Sequence, residues 1–372
     1  MPKRHKRTDP SYMNFLFLNS ASRGWGGNEK SIVLAAETLS GNHHVVFAYR
    51  EDEIGAHTDL LKYRLPFLFE GDLYTIAKLV AIVKKHGIDV IIPSKRKDYA
   101  IAGIVSRICG IRNILWLGAL RTPQNTLAGR LVYRTLADGI IVNARQIKVG
   151  LVMSGFIPPD RVRVVYNGID TKALDRIATE RTPHHGKGMV VTSIGRLDKN
   201  KNHELLLRGF ARFLAMQPGI EANLEILGEG SERAKLERLI QELGLNGRAR
   251  LRGFVGNPYP ELAKSDVFAM TSESEGLSIA LLEAMYLGNA PVSTFAGGGV
   301  TEIISDGING HLFKYGDETA LASIFLKLYL EPDYRRQIGE AARNSVAEKY
   351  SAARIEQQIV NFCRETIAKQ PR

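Results

Sequence analysis

Short apolar runs alternate with longer segments of helical apolar spacing, and the alternation begins twice. In the first half, strand-like runs fall at 13–19, 45–49, 90–93, 113–117, 139–142 and 162–165. Helix-patterned stretches lie between them at 29–39, 73–86 and about 99–109. Within 29–39, Ile32, Leu34, Ala35 and Leu39 fall on or near one face. A polar, weakly patterned stretch at 171–188, with Pro183, Gly186 and Gly188, reads as the passage between domains. The pattern then restarts. Strands are expected at 190–194, 222–227, 249–254, 267–270 and 290–295, with helices at 204–216, 231–243, 277–287 and 319–330. Strands that alternate with helices form parallel sheets covered on both faces. The expected fold class is therefore α/β, with two doubly wound domains facing a cleft, and ligands bound outside the carboxyl ends of the strands. A length of 372 residues agrees with two domains.

The charge is divided unevenly. Residues 1–168 carry 24 Lys and Arg against 13 Asp and Glu, a net of +11, whereas residues 169–372 carry 26 of each. Between Lys95 and Arg163 there are 12 basic and 3 acidic residues. Such a half is expected to be drawn to an anionic surface: a phospholipid leaflet, a phosphorylated glycolipid or nucleic acid. No apolar run reaches the ~18 residues of a membrane span. The basic start, Met1-Pro2-Lys3-Arg4-His5-Lys6-Arg7, is followed by no apolar signal region. The two cysteines, Cys109 and Cys363, have no metal-like spacing. A cytoplasmic protein, peripheral on the inner face of the membrane, is the expectation.

Three segments carry the chemistry. In 271–285, a strand is expected to end at Met270 and a helix to open after Gly276, where amide groups and the helix dipole favour an anion. Glu275 stands just before that helix. Glu283 lies eight positions on, about 80° round at ~100° per residue, between Leu281-Leu282 and Ala284-Met285, where an idle charge is costly. One carboxylate can face a sugar while the other grips ribose hydroxyls. In 193–203, Arg196 and Lys201 can converge on a diphosphate from one loop, Arg as a planar fork and Lys as a mobile point charge. Two cations can replace a metal in neutralising a departing diphosphate. Gly26 and Gly27, between the first strand and first helix, allow a donor phosphate to approach the backbone. Gly228-Glu229-Gly230 and Gly297-Gly298-Gly299 are further strand-end glycine loops. Neither the full dinucleotide glycine fingerprint nor a P-loop is present, and no histidine pair has zinc-like spacing.

In order and spacing these segments resemble the retaining nucleotide-sugar glycosyltransferases of the two-domain, Rossmann-like GT-B fold, which include mannosyltransferases and lipopolysaccharide core transferases. The resemblance covers nearly the whole chain. It runs from Gly26-Gly27-Asn28-Glu29 through Val165-Tyr166-Asn167-Gly168-Ile169-Asp170, Gly195-Arg196-Leu197 with Lys201, and Leu227-Gly228-Glu229-Gly230. It continues through Arg252-Gly253-Phe254-Val255, Ser274-Glu275-Gly276-Leu277 with Glu283-Ala284-Met285, and Gly298-Gly299-Val300-Thr301-Glu302. It implies that Arg196 and Lys201 hold the donor diphosphate, that Glu283 binds ribose, and that Glu275 lies by the donor sugar. Gly276 and Leu277 would give backbone contacts there. Arg252, Gly253, Phe254 and Val255 would lie near the base, and Gly26 and Gly27 would complete the phosphate site. Glu275, Arg196 and Lys201 are the catalytic candidates. The implied domains are an acceptor-side 1–168, a nucleotide-sugar-binding 169–350, and a C-terminal helix in 351–372 that packs back on the first domain.

One departure stands out. Many relatives carry a histidine in the first-domain loop that here reads Leu117-Gly118-Ala119-Leu120-Arg121-Thr122, leaving Arg121 as the acceptor-side candidate. The activity implied is transfer from a nucleotide diphosphate sugar, UDP-sugar favoured, to a glycan or lipid-linked acceptor of the cell envelope such as lipopolysaccharide core. No metal or other cofactor is expected. A sugar-nucleotide epimerase, a non-catalytic relative and an anionic-polymer or nucleic-acid binder are the competing classes. The last is disfavoured, because aromatics do not interleave the basic stretch.

Overall fold

In the first strand Phe15 and Phe17 point to one side, Leu16 and Leu18 to the other, and all four are fully buried. A strand buried on both faces belongs in the middle of a covered sheet. The computed structural model describes residues 12–22, 25–118, 123–179, 188–295 and 297–369. They divide into two compact units, one of residues up to Gly168 together with the segment from Ala352, the other of Ile169–Ser351.

The first unit is built on seven parallel strands: β1 (Asn14–Asn19), β2 (His44–Tyr49), β3 (Leu61–Arg64), β4 (Val90–Pro93), β5 (Arg112–Leu117), β6 (Gly139–Val142) and β7 (Val162–Val164), in the order β3-β2-β1-β4-β5-β6-β7. On one face Leu16, Leu18, Val46 and Ile91 pack under helices Leu73–His86 and Arg96–Cys109. On the other, Phe15, Phe17, Ile92 and Trp116 are covered by helix Gly27–Ser40 and by the last helix, Ala352–Ala368. Ile355, Ile359, Val360, Phe362 and Cys363 of that last helix sit in the core. Its exposed side is tied down by Arg163 to Glu365 and by Asn42 to Glu356 at 2.9 Å.

The second unit repeats the plan with β8 (Met189–Ile194), β9 (Ala222–Leu227), β10 (Ala249–Gly253), β11 (Val267–Met270), β13 (Ala290–Thr294) and β15 (His311–Phe313), in the order β10-β9-β8-β11-β13-β15. A two-stranded ladder, β12 (Ser274–Glu275) with β14 (Gly297–Gly298), stands beside the sheet. Its core joins Val191, Leu224, Ile226 and Val292 to Phe210, Phe213 and Phe325 of the covering helices. In both sheets the order reverses once, between β1 and β4 and between β8 and β11. These are the switch points at which a doubly wound sheet opens a crevice at its carboxyl edge.

One expectation changes, and two elements are added that the sequence pattern did not mark. The stretch 171–188 is not an irregular passage in its first half: Thr171–Thr179 is a helix, packed on helices Tyr259–Ala263 and Ile279–Tyr286 through buried Leu174. Its polar residues misled the pattern, since Asp175 serves the Tyr286 hydroxyl at 2.9 Å. β3 carries no alternation because it is an exposed edge strand. Helix Pro332–Lys349 has few apolar positions and buries only Ile338, Gly339, Ala342 and Val346.

The last helix shares one wall of the first unit's core with helix Gly27–Ser40. Phe362→Ala should therefore destabilise that unit by about 3–5 kcal/mol, as expected for a buried aromatic. Chemical denaturation followed by far-UV circular dichroism measures this, and a loss below about 1 kcal/mol would show the helix to be peripheral.

Candidate functional site

At the first switch point, Gly26 caps helix Gly27–Ser40 in an extended conformation and supplies no side-chain cap. A Cβ on Gly27 would meet nothing within 4 Å, so the backbone there is open to a ligand. Glu29, in the first helical turn, is buried and paired with Lys95 from the loop after β4. Around them lie the buried polar side chains Asn19, Ser20, Asp98, Asn143 and Asn167. Asp98 accepts from the backbone amides of Ser20 at 3.1 Å and Lys95 at 3.2 Å. Burial pushes its carboxyl up to about 6 despite those bonds. Ser31 donates to Asn167 at 2.6 Å. Arg121, the acceptor-side candidate, lies outside the described residues, as does the basic start of the chain.

At the second switch point three strand-end loops are knitted by backbone bonds. The Gly195 amide donates to Leu227 at 3.0 Å, Leu197 to Glu229 at 2.9 Å, and Gly228 to Gly253 at 2.8 Å. This closeness requires glycine: at Gly228 (φ 149°) a Cβ would stand 1.9 Å from the Gly195 carbonyl oxygen. The loop 195–202 is also stitched to the loop after β11. Glu273 donates its amide to the Asn200 carbonyl at 2.8 Å, Asn200 donates to the Ser274 carbonyl at 2.9 Å, and the Thr271 hydroxyl donates to the Lys201 and Asn202 carbonyls at 3.1 and 3.0 Å.

This frame fixes the two cations differently. The Lys201 stem lies along Gly195, and its ammonium meets Glu275 at 2.6 Å, with both side chains four-fifths buried. Arg196 is 82% exposed and pairs with Asp198 at 2.9 Å. Lys201 and Glu275, named separately in the sequence, are thus one ion pair, while Arg196 faces water at the rim. Glu275 belongs to the small β-ladder rather than to a helix start. The helix expected after Gly276 opens at Ile279, and Ser278 caps it by accepting from Leu281 at 3.3 Å. The Gly276 carbonyl instead accepts from the Gly299 amide at 3.0 Å. The helix dipole therefore acts two residues later than expected. Leu277 is buried.

Glu283 is 2% exposed and accepts a hydrogen bond from the Tyr259 hydroxyl at 3.0 Å. Burial, with the Glu283 charge, pushes the Tyr259 phenol well above its ordinary value, so it stays a donor. Sequence gave no sign of Tyr259, because its partner lies 24 positions away. Arg252 is drawn between Glu225 and Glu261 at 3.7 and 3.8 Å, Gly253 turns at φ 78°, Phe254 is exposed and Val255 half-buried. Among the described residues no three His, Cys, Asp or Glu side chains gather to hold a metal ion. No described helix is long and apolar enough to cross a membrane.

Fold and site define a class: two-unit, doubly wound α/β proteins with a crevice at each sheet's switch point. Residues 175–345 match the family described as glycosyl transferases group 1, and residues 25–173 match glycosyltransferase family 4. The chain belongs to the glycosyltransferases of GT-B fold. It is 28% identical to the N-acetylgalactosamine-N,N'-diacetylbacillosaminyl-diphospho-undecaprenol 4-alpha-N-acetylgalactosaminyltransferase of Campylobacter jejuni, over 92% of this chain and 97% of that one. It is 29% identical to the lipopolysaccharide core biosynthesis glycosyltransferase LpsE of Rhizobium meliloti, over 61% of this chain and 64% of that one. The crystal structure of Anabaena HepE in complex with UDP-glucose superimposes with a TM-score of 0.80 at 21% identity, covering 96% of this chain and all of that one.

His203, which opens the helix after the Lys201 loop, gives a pH test. It is buried, its Nδ1 makes no hydrogen bond among the described residues, and burial together with the Lys201 charge pushes its pKa down to about 4. The unfolded chain takes up the proton near pH 6.5 and the folded one only near 4, so stability is lost as pH falls through that window. The full effect is on the order of 3 kcal/mol. Urea denaturation at pH 7 and pH 4.5 should show a smaller difference for His203→Gln than for the wild type. Equal differences would mean that His203 does not resist protonation.

Proposed function

We propose that the protein transfers a sugar from a UDP-sugar to a lipid-linked or lipopolysaccharide-type glycan at the cytoplasmic face of a membrane, with retention of anomeric configuration and without a metal. The observation that carries the reading is the Lys201–Glu275 pair, 2.6 Å apart at the switch point of the second unit. Glu275 holds the ammonium in a fixed place before any ligand arrives, so a diphosphate meets a cation already oriented. Arg196, exposed on the same loop, is free to swing onto the outer phosphate and adds a planar fork. Glu283, neighboured by Tyr259, is the ribose-binding carboxylate. Arg252, Gly253, Phe254 and Val255 border the base, and Gly276 and Leu277 offer backbone to the sugar.

In this mechanism the anomeric C–O bond to the diphosphate stretches as Lys201 and Arg196 take up the negative charge. The acceptor hydroxyl attacks from the side the diphosphate leaves, and its proton passes to a departing phosphate oxygen. Glu275, beside Lys201, stabilises positive charge at the sugar. No second carboxylate at glycosidase spacing is then required. Gly26 and Gly27, at the first unit's own switch point, are its backbone candidates for a phosphate contact. The acceptor is assigned to the basic first unit. Its lipid-linked character is supported by the Campylobacter relative, whose name specifies an undecaprenol diphosphate acceptor, and by the core-biosynthesis relative. The UDP preference is supported by the UDP-glucose complex of HepE.

Lys201→Ala should weaken UDP-sugar binding by about 1.5–3 kcal/mol, roughly 10- to 150-fold. Arg196→Ala should lose less, since its head already sits in water. Calorimetric titration of UDP-sugar measures both, and unchanged affinity in both variants removes the loop from the site.

Glu283→Gln should chiefly raise the donor's dissociation constant, whereas Glu275→Gln should chiefly lower turnover. Transfer should proceed at the same rate with a chelator present, and NMR of the product should show the donor's anomeric configuration kept. An inverted product, or activity abolished by chelation and restored by a divalent metal, contradicts the mechanism.

A further inference from the structure

The turn between β3 and helix Leu73–His86 holds large apolar side chains out into water. Leu68, Phe69, Leu73 and Tyr74 are each about three-fifths exposed or more, Leu73 reaching 79%. Their exposure is built in, because the turn is tied from beneath. Buried Asp72 accepts from the amides of Leu68 at 3.0 Å and Thr75 at 3.1 Å, and from the Thr75 hydroxyl at 2.7 Å. Fully buried Phe67 anchors it in a left-handed conformation, φ 45°, unfavourable for a bulky residue. Lys97, in the first turn of helix Arg96–Cys109, donates to the Phe67 and Leu68 carbonyls at 3.1 Å each.

Cations rim this finger. Lys78 lies 5.4 Å from the Tyr74 ring centroid, and Arg96 is exposed at the start of the next helix. Glu70 at the tip is the one exposed acid in 65–78. The cluster Lys95-Arg96-Lys97 is less open than its sequence promises: Lys95 pairs with Glu29 and Lys97 clips the finger, which leaves Arg96 to face outward. Since the sheet is parallel, every strand-to-helix turn lies on one edge. The finger therefore shares its edge with Gly26, Gly27 and the loop after β4.

We infer that this finger docks the first unit on an anionic phospholipid surface, with Leu68, Phe69, Leu73 and Tyr74 entering the headgroup–acyl boundary and Arg96 and Lys78 meeting lipid phosphates. Apolar side chains fixed at a convex turn within a basic rim match that boundary in both polarity and charge. The inference rests on the reading of a lipid-linked acceptor, whose carrier lies in such a surface.

Vesicle partitioning tests it without donor or acceptor, so it stands or falls apart from the catalytic reading. The probes are vesicles of phosphatidylcholine with one-third phosphatidylglycerol, and of phosphatidylcholine alone. The wild type should favour the anionic vesicles, and Phe69→Ser/Leu73→Ser should bind them at least tenfold more weakly at both low and high salt. Arg96→Glu should weaken binding at low salt only, because its share is screened. A wild-type far-UV circular dichroism spectrum and cooperative thermal melt in all variants shows that they are folded. If the double variant partitions like the wild type, the docking surface is elsewhere. If the wild type sediments as a dimer that the double variant dissolves, the finger joins two copies and the inference fails. Vesicle binding as expected, in a protein that transfers no sugar, overturns the catalytic reading and leaves the docking intact.

Discussion

A parallel sheet has no face that it can leave to water. Its strands are joined by crossovers, so their central residues are apolar on both sides, as Phe15-Leu16-Phe17-Leu18 are here. Every other feature of the protein follows from covering those faces. In the first unit the helices that follow the early strands cover one side, but helix Gly27–Ser40 leaves part of the other bare. The chain returns after the whole of the second unit and lays Ile355, Ile359 and Phe362 onto the gap. A helix some 180 residues distant in sequence thus belongs to the first hydrophobic core.

The same rule places the chemistry. With all strands parallel, every turn that leads from strand to helix falls on the carboxyl edge, and the reversal of order between β8 and β11 separates two of those turns enough to admit a ligand. What makes the second unit's edge precise is backbone proximity. Gly228 brings the turn after β9 against Gly195, which seats the Lys201 stem, and the loop after β11 is bonded to the same segment. A partly buried ion pair such as Lys201–Glu275 contributes little net stability once desolvation is counted. Its value lies in position, since a lone flexible lysine loses rotamer freedom when it grips a phosphate and a held one has already lost it. The knitted loops and the ion pair are therefore a single device, and the catalytic reading depends on it.

Local pattern was enough to read most elements. The segments 73–86, 90–93, 139–142, 222–227 and 267–270 have the bounds that their periodicity gives, because each is amphipathic or wholly apolar and bounded by turn residues. Elements whose stabilising contacts are long-range escaped. The helix Thr171–Thr179 looks like a linker until Asp175 finds Tyr286, and β3 leaves no pattern because an edge strand can be charged. Charge counts likewise overstate the open surface: Lys95 and Lys97 count as basic patch in sequence and are structural ties in the fold.

By itself, then, the sequence determined the period-two and helical runs, the two doubly wound units, the residue types at the donor loops and the basic excess of the first half. These are local or compositional properties, carried by neighbouring residues and unchanged by what packs on them. Tertiary structure alone decided that Lys201 meets Glu275, that Tyr259 serves Glu283, and that Ser278 rather than Gly276 opens the helix. It also decided that Leu68, Phe69, Leu73 and Tyr74 are turned outward, although their composition would suit a core. The physical reason is the same in each case. A long-range tie takes part each time, Lys201 to Glu275, Tyr259 to Glu283, Gly299 to Gly276 and Lys97 to Phe67, and only the closing of the sheet, with the loops that it forces together, brings such partners within reach.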